Sequence, residues 1–152
     1  MVRGKLDKSG LEIVKLLQDG RRSFKEIAQA VGLSEATVRT KVNKMVEDGL
    51  VSIKALVSTK DMPVGYQTVL VGIRLNSPAL KKTAEALSVL PGVVSVAIVT
   101  GRYDIILTVM LTPEMELIDF FNIMLEKYSD RVNVTETFLV YESVNFKTPY
   151  PF

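Results

Sequence analysis

The sequence predicts an α+β chain in two parts, an N-terminal three-helix helix-turn-helix domain followed by a C-terminal ferredoxin-like βαββαβ domain. Three observations carry this. Apolar residues recur at helical spacing as far as Asp48 and then collect into strand-like runs. Two such runs, VVSVAIV and IILTVML, flank the polar turn TGRYD. The charge also changes sign along the chain: Lys and Arg outnumber Asp and Glu twelve to seven in residues 1–60, a charge of +5, and are outnumbered seven to ten in residues 61–152, a charge of −3.

Taken in order, Leu6, Ile13, Leu16 and Leu17 line one face of a first helix that Gly20 is expected to close as a C-terminal cap. In SFKEIAQAV, Ser23 followed three residues later by Glu26 is a capping-box pattern, with Ile27, Ala28 and Val31 as the buried face. Gly32 supplies a tight turn. Ser34 caps a third helix whose inward side is Val38, Val42 and Met45, and Gly49 ends it.

Residues 51–57 read as a linking strand and TKDMPVGY as a loop, which puts domain boundaries at 1–50, 51–65 and 66–152. QTVLVGIRL is then a strand, and SPALKKTAEALSVL a helix with Ser77 as cap and Pro78 at its first position. VVSVAIV and DIILTVML are strands, TPEMELIDFFNIMLEKYS is a helix opened by Thr112 and Pro113, and VNVTETFLVYES is the last strand. The prolines and aromatics of the tail NFKTPYPF fit either docking on a partner subunit or mobility.

Composition narrows the chemistry. A chain of 152 residues that is 47% hydrophobic and 24% charged can bury a real core, so extensive disorder is not expected. With neither cysteine nor histidine, disulfides, thiolate metal sites, the usual zinc ligand and the usual general base are all missing, and neither a metal nor a cofactor is expected. No apolar run reaches the roughly 18 to 20 residues of a membrane span, and the first residues lack a signal-peptide core. The expected location is therefore the cytoplasm, with no membrane partner.

The outward side of the third helix carries Ser34 at its start, then Thr37, Arg39, Thr40, Lys41, Asn43 and Lys44. A helix bearing cations for phosphates and hydrogen-bonding side chains for base edges suits the major groove of double-stranded DNA. A solvated polar face would look similar. The small, turning and buried residues of IAQAVGLSEATV, with the local positive charge, favour DNA. Glu35 complements the positive end of the helix, while Glu47 and Asp48 are expected to point away from DNA.

Together the two halves resemble the leucine-responsive regulatory protein/AsnC, or feast/famine, regulators. The resemblance rests on LDKSGLEIVKLLQDGRRSFKEIAQAVGLSEATVRTKVNKMVEDGLV, on VTGRYDIILTVM with its Gly-x-Tyr-Asp signature, and on VTETFLVYESV. Gly10, Lys41 and Arg102 depart from the common pattern, where an Asp, an Arg and an acidic residue respectively are usual. The resemblance implies a homodimer formed through a RAM-type βαββαβ domain, further assembly into tetramers or octamers, and a small effector, an amino acid, bound between subunits. By the same resemblance the effector residues are Val99, Thr100, Gly101, Arg102, Tyr103, Asp104, Ile105, Asp119, Glu136, Thr137 and Phe138.

Each of these residues also has a structural reading. Gly101 can be a positive-φ turn residue, Tyr103 a packing ring and Asp104 a turn-stabilising carboxylate, while Phe120, Phe121 and Met124 are core at helical spacing. Asp119 and Glu136 tilt the site toward a cationic amino acid and Arg102 tilts it back. Two functions stand against the effector-responsive regulator. One is an architectural DNA-binding protein without effector. The other is an enzyme like the related tetrapyrrole decarboxylases, whose chemistry uses histidine that this chain does not have.

Overall fold

The computed structural model describes residues 6–59, 62–76, 78–144 and 146–149, excepting the side chains of Val134 and Thr135. The chain separates into two compact units, residues 1–54 and 55–152.

The first unit holds α1 (Lys8–Leu17), α2 (Phe24–Val31) and α3 (Glu35–Glu47) around a core of Ile13, Ile27, Ala28, Val38, Val42 and Met45. Its helix starts follow the expected chemistry. The Ser23 hydroxyl accepts from the Glu26 N–H at 3.2 Å while the Glu26 carboxylate accepts from the Ser23 N–H at 2.7 Å. Gly32 is left-handed at φ 68° and closes α2, and Gly49, at φ 67°, follows α3. The expected role of Gly20 is corrected. α1 ends at Leu17 with Gln18 as its right-handed cap, and Asp19 makes the turn by accepting the Arg22 N–H on its carbonyl and the Arg21 N–H on its carboxylate.

In the second unit β2 (Gln67–Leu75), α4 (Leu80–Leu87), β3 (Val93–Ile98), β4 (Ile105–Leu111), α5 (Leu117–Tyr128) and β5 (Val132–Leu139) follow in the βαββαβ order. Their sheet runs β3-β4-β2-β5, every neighbouring pair antiparallel. Period-two alternation divides it. Val69, Val71 and Ile73 of β2 and Ile105, Leu107 and Val109 of β4 are fully buried in one cluster with Leu87 of α4 and with Phe120 and Met124 of α5, so both helices cover the same face. On the other face lie Thr68, Leu70, Gly72, Ile106, Thr108, Met110, Glu136 and Phe138; Thr68 and Met110 are buried there, while Phe138 is left 45% exposed.

Several expected boundaries shift. The linking strand narrows to β1 (Leu56–Ser58), because only these residues have a pairing partner. That partner is β6 (Lys147–Pro149), so the tail pairs within its own chain and buries Thr148. α4 starts at Leu80 after Ala79, with Pro78 outside the helix, since its fixed φ suits an entry turn as well as a first helical turn. The expected cap Ser77 lies outside the described residues. Thr112 and Pro113 do not open α5: Thr112 and Met115 exchange backbone hydrogen bonds across a turn, and the helix begins at Leu117. β5 stops at Leu139, where pairing with β2 ends.

Candidate functional site

Two places are candidates for function, one in each unit. In the first, α3 is the second helix of a helix-turn-helix. Its inward residues Val38, Val42 and Met45 are buried, which turns Thr37, Arg39, Thr40, Asn43 and Lys44 to solvent. The hydroxyls are locally engaged. Ser34 accepts the Thr37 N–H at 3.1 Å and shares a 2.8 Å hydrogen bond with the Thr37 hydroxyl, and Thr40 donates back to the Ala36 carbonyl.

The cations differ from one another. Arg39 pairs with Glu35 one turn earlier at 2.9 Å and lies over the Phe24 ring, 5.1 Å from its centre. Both partners are exposed, so phosphate can replace Glu35 at little cost. Lys41 is only half-exposed, and its ammonium donates to Asp7 at 2.9 Å. Among the described residues, the Asn43 and Lys44 side chains make no hydrogen bond or ion pair, which leaves both open to a ligand. Asp7 itself caps α1, accepting from the Gly10 N–H at 2.6 Å and the Ser9 hydroxyl at 3.0 Å. Lys41 above all, then these two donors, lower its pKa from 3.8 to about 2.

The second place is the turn between β3 and β4. Thr100, Gly101 and Arg102 are exposed, and Gly101 has φ 112° with open space where a side chain would stand, so here conformation rather than close packing requires glycine. Val99 donates to the Asp104 carbonyl, and the Asp104 carboxylate accepts the Leu75 N–H at 2.8 Å where β2 ends. That is the turn-stabilising role, and it leaves the carboxylate's other oxygen for other donors.

Tyr103 lies over Gly72, whose missing side chain admits it: a Cβ there would sit 2.8 Å from two ring carbons. Its hydroxyl donates to the Glu136 carboxylate, which together with partial burial raises the phenol pKa above its ordinary 10. Arg102 completes the group, 3.4 Å from the same carboxylate and 5.7 Å from the Tyr103 ring centre. The acid that Arg102 meets is thus in its own chain.

Of the residues named from the sequence, Arg102, Tyr103 and Glu136 come together and Phe138 lies near them on the sheet face opposite the helices. Ile105 is instead a fully buried core residue under the helices, and Thr137 stands opposite the core residue Val71. Asp119 accepts the Glu116 N–H at 2.9 Å, so its carboxylate caps α5. Sequence reasoning overlooked Asp7, Phe24 and Gly72. Only Gly72 had a local signal, an isolated glycine inside an apolar strand, which marks close approach of another group.

A helix-turn-helix unit followed by a ferredoxin-like sheet is the architecture of a two-part DNA-binding protein, and the comparisons agree. Residues 6–52 match the winged helix-turn-helix DNA-binding model and residues 68–150 match the Lrp/AsnC ligand binding domain. An HTH-type transcriptional regulator of Pyrococcus horikoshii is 34% identical over 137 residues, covering 87% of this chain and 84% of the relative. Among solved structures, Escherichia coli AsnC superposes with a TM-score of 0.59 at 25% identity, over 92% of this chain and 95% of the other. The Neisseria meningitidis transcriptional regulator NMB0573, solved as an L-Met complex, shares the fold with a TM-score of 0.63 at 20% identity, over 97% of both chains.

The chain belongs to the Lrp/AsnC family of DNA-binding transcription regulators. No helix among the described residues is long and apolar enough to cross a membrane.

Proposed function

We propose that this regulator answers to a small effector, an amino acid, held at the β3–β4 turn between two copies of the chain. In this reading residues 1–50 bind DNA in the cytoplasm, residues 51–65 connect, and residues 66–152 assemble the protein into homodimers and then tetramers or octamers. One observation carries it: the Arg102–Tyr103–Glu136 group lies on the sheet face opposite the helices, near the half-exposed Phe138. A second copy packed on that face would enclose the turn. Backbone N–H groups around the open Gly101 suit a carboxylate, while the second oxygen of Asp104 suits an ammonium group. The L-Met complex of a protein with the same fold supports the class of ligand.

DNA contact is assigned to α3, with Arg39 and Lys44 on phosphates and Thr37, Thr40 and Asn43 toward base edges. Replacing Arg39 and Lys44 together by Ala is expected to flatten the salt dependence of DNA binding by about two in log–log slope per bound protomer. An unchanged slope refutes the assignment.

For the effector, the test is a thermal-shift screen of the full chain against all amino acids, with size-exclusion chromatography on each hit. Asp104→Asn keeps an acceptor for the Leu75 N–H while removing the charge, so it is expected to keep the fold and lose the ligand-dependent shift. If no amino acid raises the melting temperature, the effector-free architectural reading replaces this one.

A further inference from the structure

Lys41 is set apart from the other cations of α3. Its partner Asp7 is 34 residues away in sequence, on the cap of another helix. The carboxylate is also held by the Gly10 N–H and the Ser9 hydroxyl, independently of Lys41. The two side chains line one cavity of about 270 Å³ with Leu6, Gly10, Lys44, Met45, Asp48 and Leu50. Gly10 makes the arrangement possible, because a Cβ there would stand 2.9 Å from Asp7 Oδ1 and 3.4 Å from Met45 Sδ. Arg39, by contrast, is the more exposed cation and pairs within its own helix with Glu35, an acid that no capping hydrogen bond holds in place, and Lys44 pairs with no described residue.

We infer that Asp7 sets the DNA affinity of this regulator by holding Lys41 on a protein carboxylate and so withholding it from the DNA backbone. The carboxylate occupies the ammonium group as a phosphate oxygen would. Freeing Lys41 therefore adds one phosphate contact per protomer, and removing Lys41 from the intact protein removes none. The inference rests on α3 as the DNA-facing helix.

Salt titrations of the full chain on a mixed-sequence DNA duplex test it. Asp7→Asn retains the helix cap, since Asn serves that position as well as Asp. Its log–log slope is expected to steepen by about 0.9 per bound protomer, equivalent to about a 3.5-fold larger loss of affinity between 50 and 200 mM salt. Lys41→Gln is expected to keep the wild-type slope, and the double variant to return to it. Glu12→Gln, an exposed change of equal charge on α1, is expected to leave the slope alone.

A flatter slope in Lys41→Gln overturns the inference, because Lys41 then already contacts phosphate. An unchanged slope in Asp7→Asn overturns it as well, as does an equal steepening in Glu12→Gln. If Asp7→Asn and Asp7→Ser both lose the fold by circular dichroism, Asp7 is a structural clamp and the inference also fails. Failure of the recognition-helix assignment is distinct: there the Arg39→Ala, Lys44→Ala double variant keeps the wild-type slope.

Discussion

Gly72→Ala tests whether the sheet itself positions the Tyr103 ring. The added methyl would lie 2.8 Å from Cδ1 and Cε1 of Tyr103 and 2.9 Å from Cγ. Carbon atoms prefer about 3.5–4.0 Å, so the ring must withdraw by roughly 0.7–1.2 Å. Gly72 sits between β4 and β5 and beside a register shift, so its backbone cannot retreat without disturbing both neighbours, and the ring has to move. Overpacking of this kind costs about 1–3 kcal/mol, and replacing glycine in a strand returns roughly 0.5–1 kcal/mol of it, for a net loss of about 0–2.5 kcal/mol. Urea denaturation is the assay, read as a lower midpoint at constant m-value. In a Tyr103→Ala background the clash is gone, and Gly72→Ala is expected to be neutral or stabilising by up to about 1 kcal/mol. An equal loss in both backgrounds refutes the claim that Gly72 is small for the sake of Tyr103.

Other changes probe the remaining forces. Ser23→Ala removes one half of the α2 capping box and is expected to cost about 1 kcal/mol in the same denaturation assay, with Ser23→Asp restoring most of it. Phe120→Ala empties a fully buried position between α5 and the sheet and is expected to cost about 3–5 kcal/mol. Asp7, lowered from 3.8 to about 2 when folded, contributes stability that is complete above its unfolded value and lost as pH falls toward 2; melting curves of Asp7→Asn should therefore lose less stability across that acid range than wild type. Tyr103 is raised, chiefly by its hydrogen bond to Glu136, so its contribution is present below its ordinary value of 10 and lost as pH rises through the folded value. Glu136→Gln should bring the tyrosinate absorbance transition of Tyr103 back to lower pH.

The fold was legible wherever a local rule decides it. Ser23 and Glu26 cap each other because both halves of the box lie within four residues, and β2 spans the nine residues that its apolar run marks out. Boundaries were lost where two local rules compete. Pro113 can open a helix or a turn, and the pairing of Thr112 with Met115 selects the turn. Gly20 has the composition of a helix cap, yet the Asp19 carboxylate closes the chain first. The pairing of residues 56–58 with 147–149 joins the two ends of the second unit, a separation no periodicity reports.

The candidate sites divide along the same line, and for a reason of charge. A sequence shows which residues are ionised, but whether a cation remains available depends on which carboxylate the fold brings to it. Glu35 and Arg39, four apart on one helix, are readable as a pair; Asp7 with Lys41 and Glu136 with Arg102 are not. Counting cations on α3 from sequence therefore overstates its free positive charge, and counting acids around the β3–β4 turn overstates the negative charge there. The tilt toward a cationic effector inferred from Asp119 and Glu136 disappears on this argument, since one acid caps its own helix and the other already faces a guanidinium and a phenol. What remains at the turn is the backbone around Gly101 and the second oxygen of Asp104, groups suited to the zwitterionic end shared by all α-amino acids rather than to the side chain of any one of them.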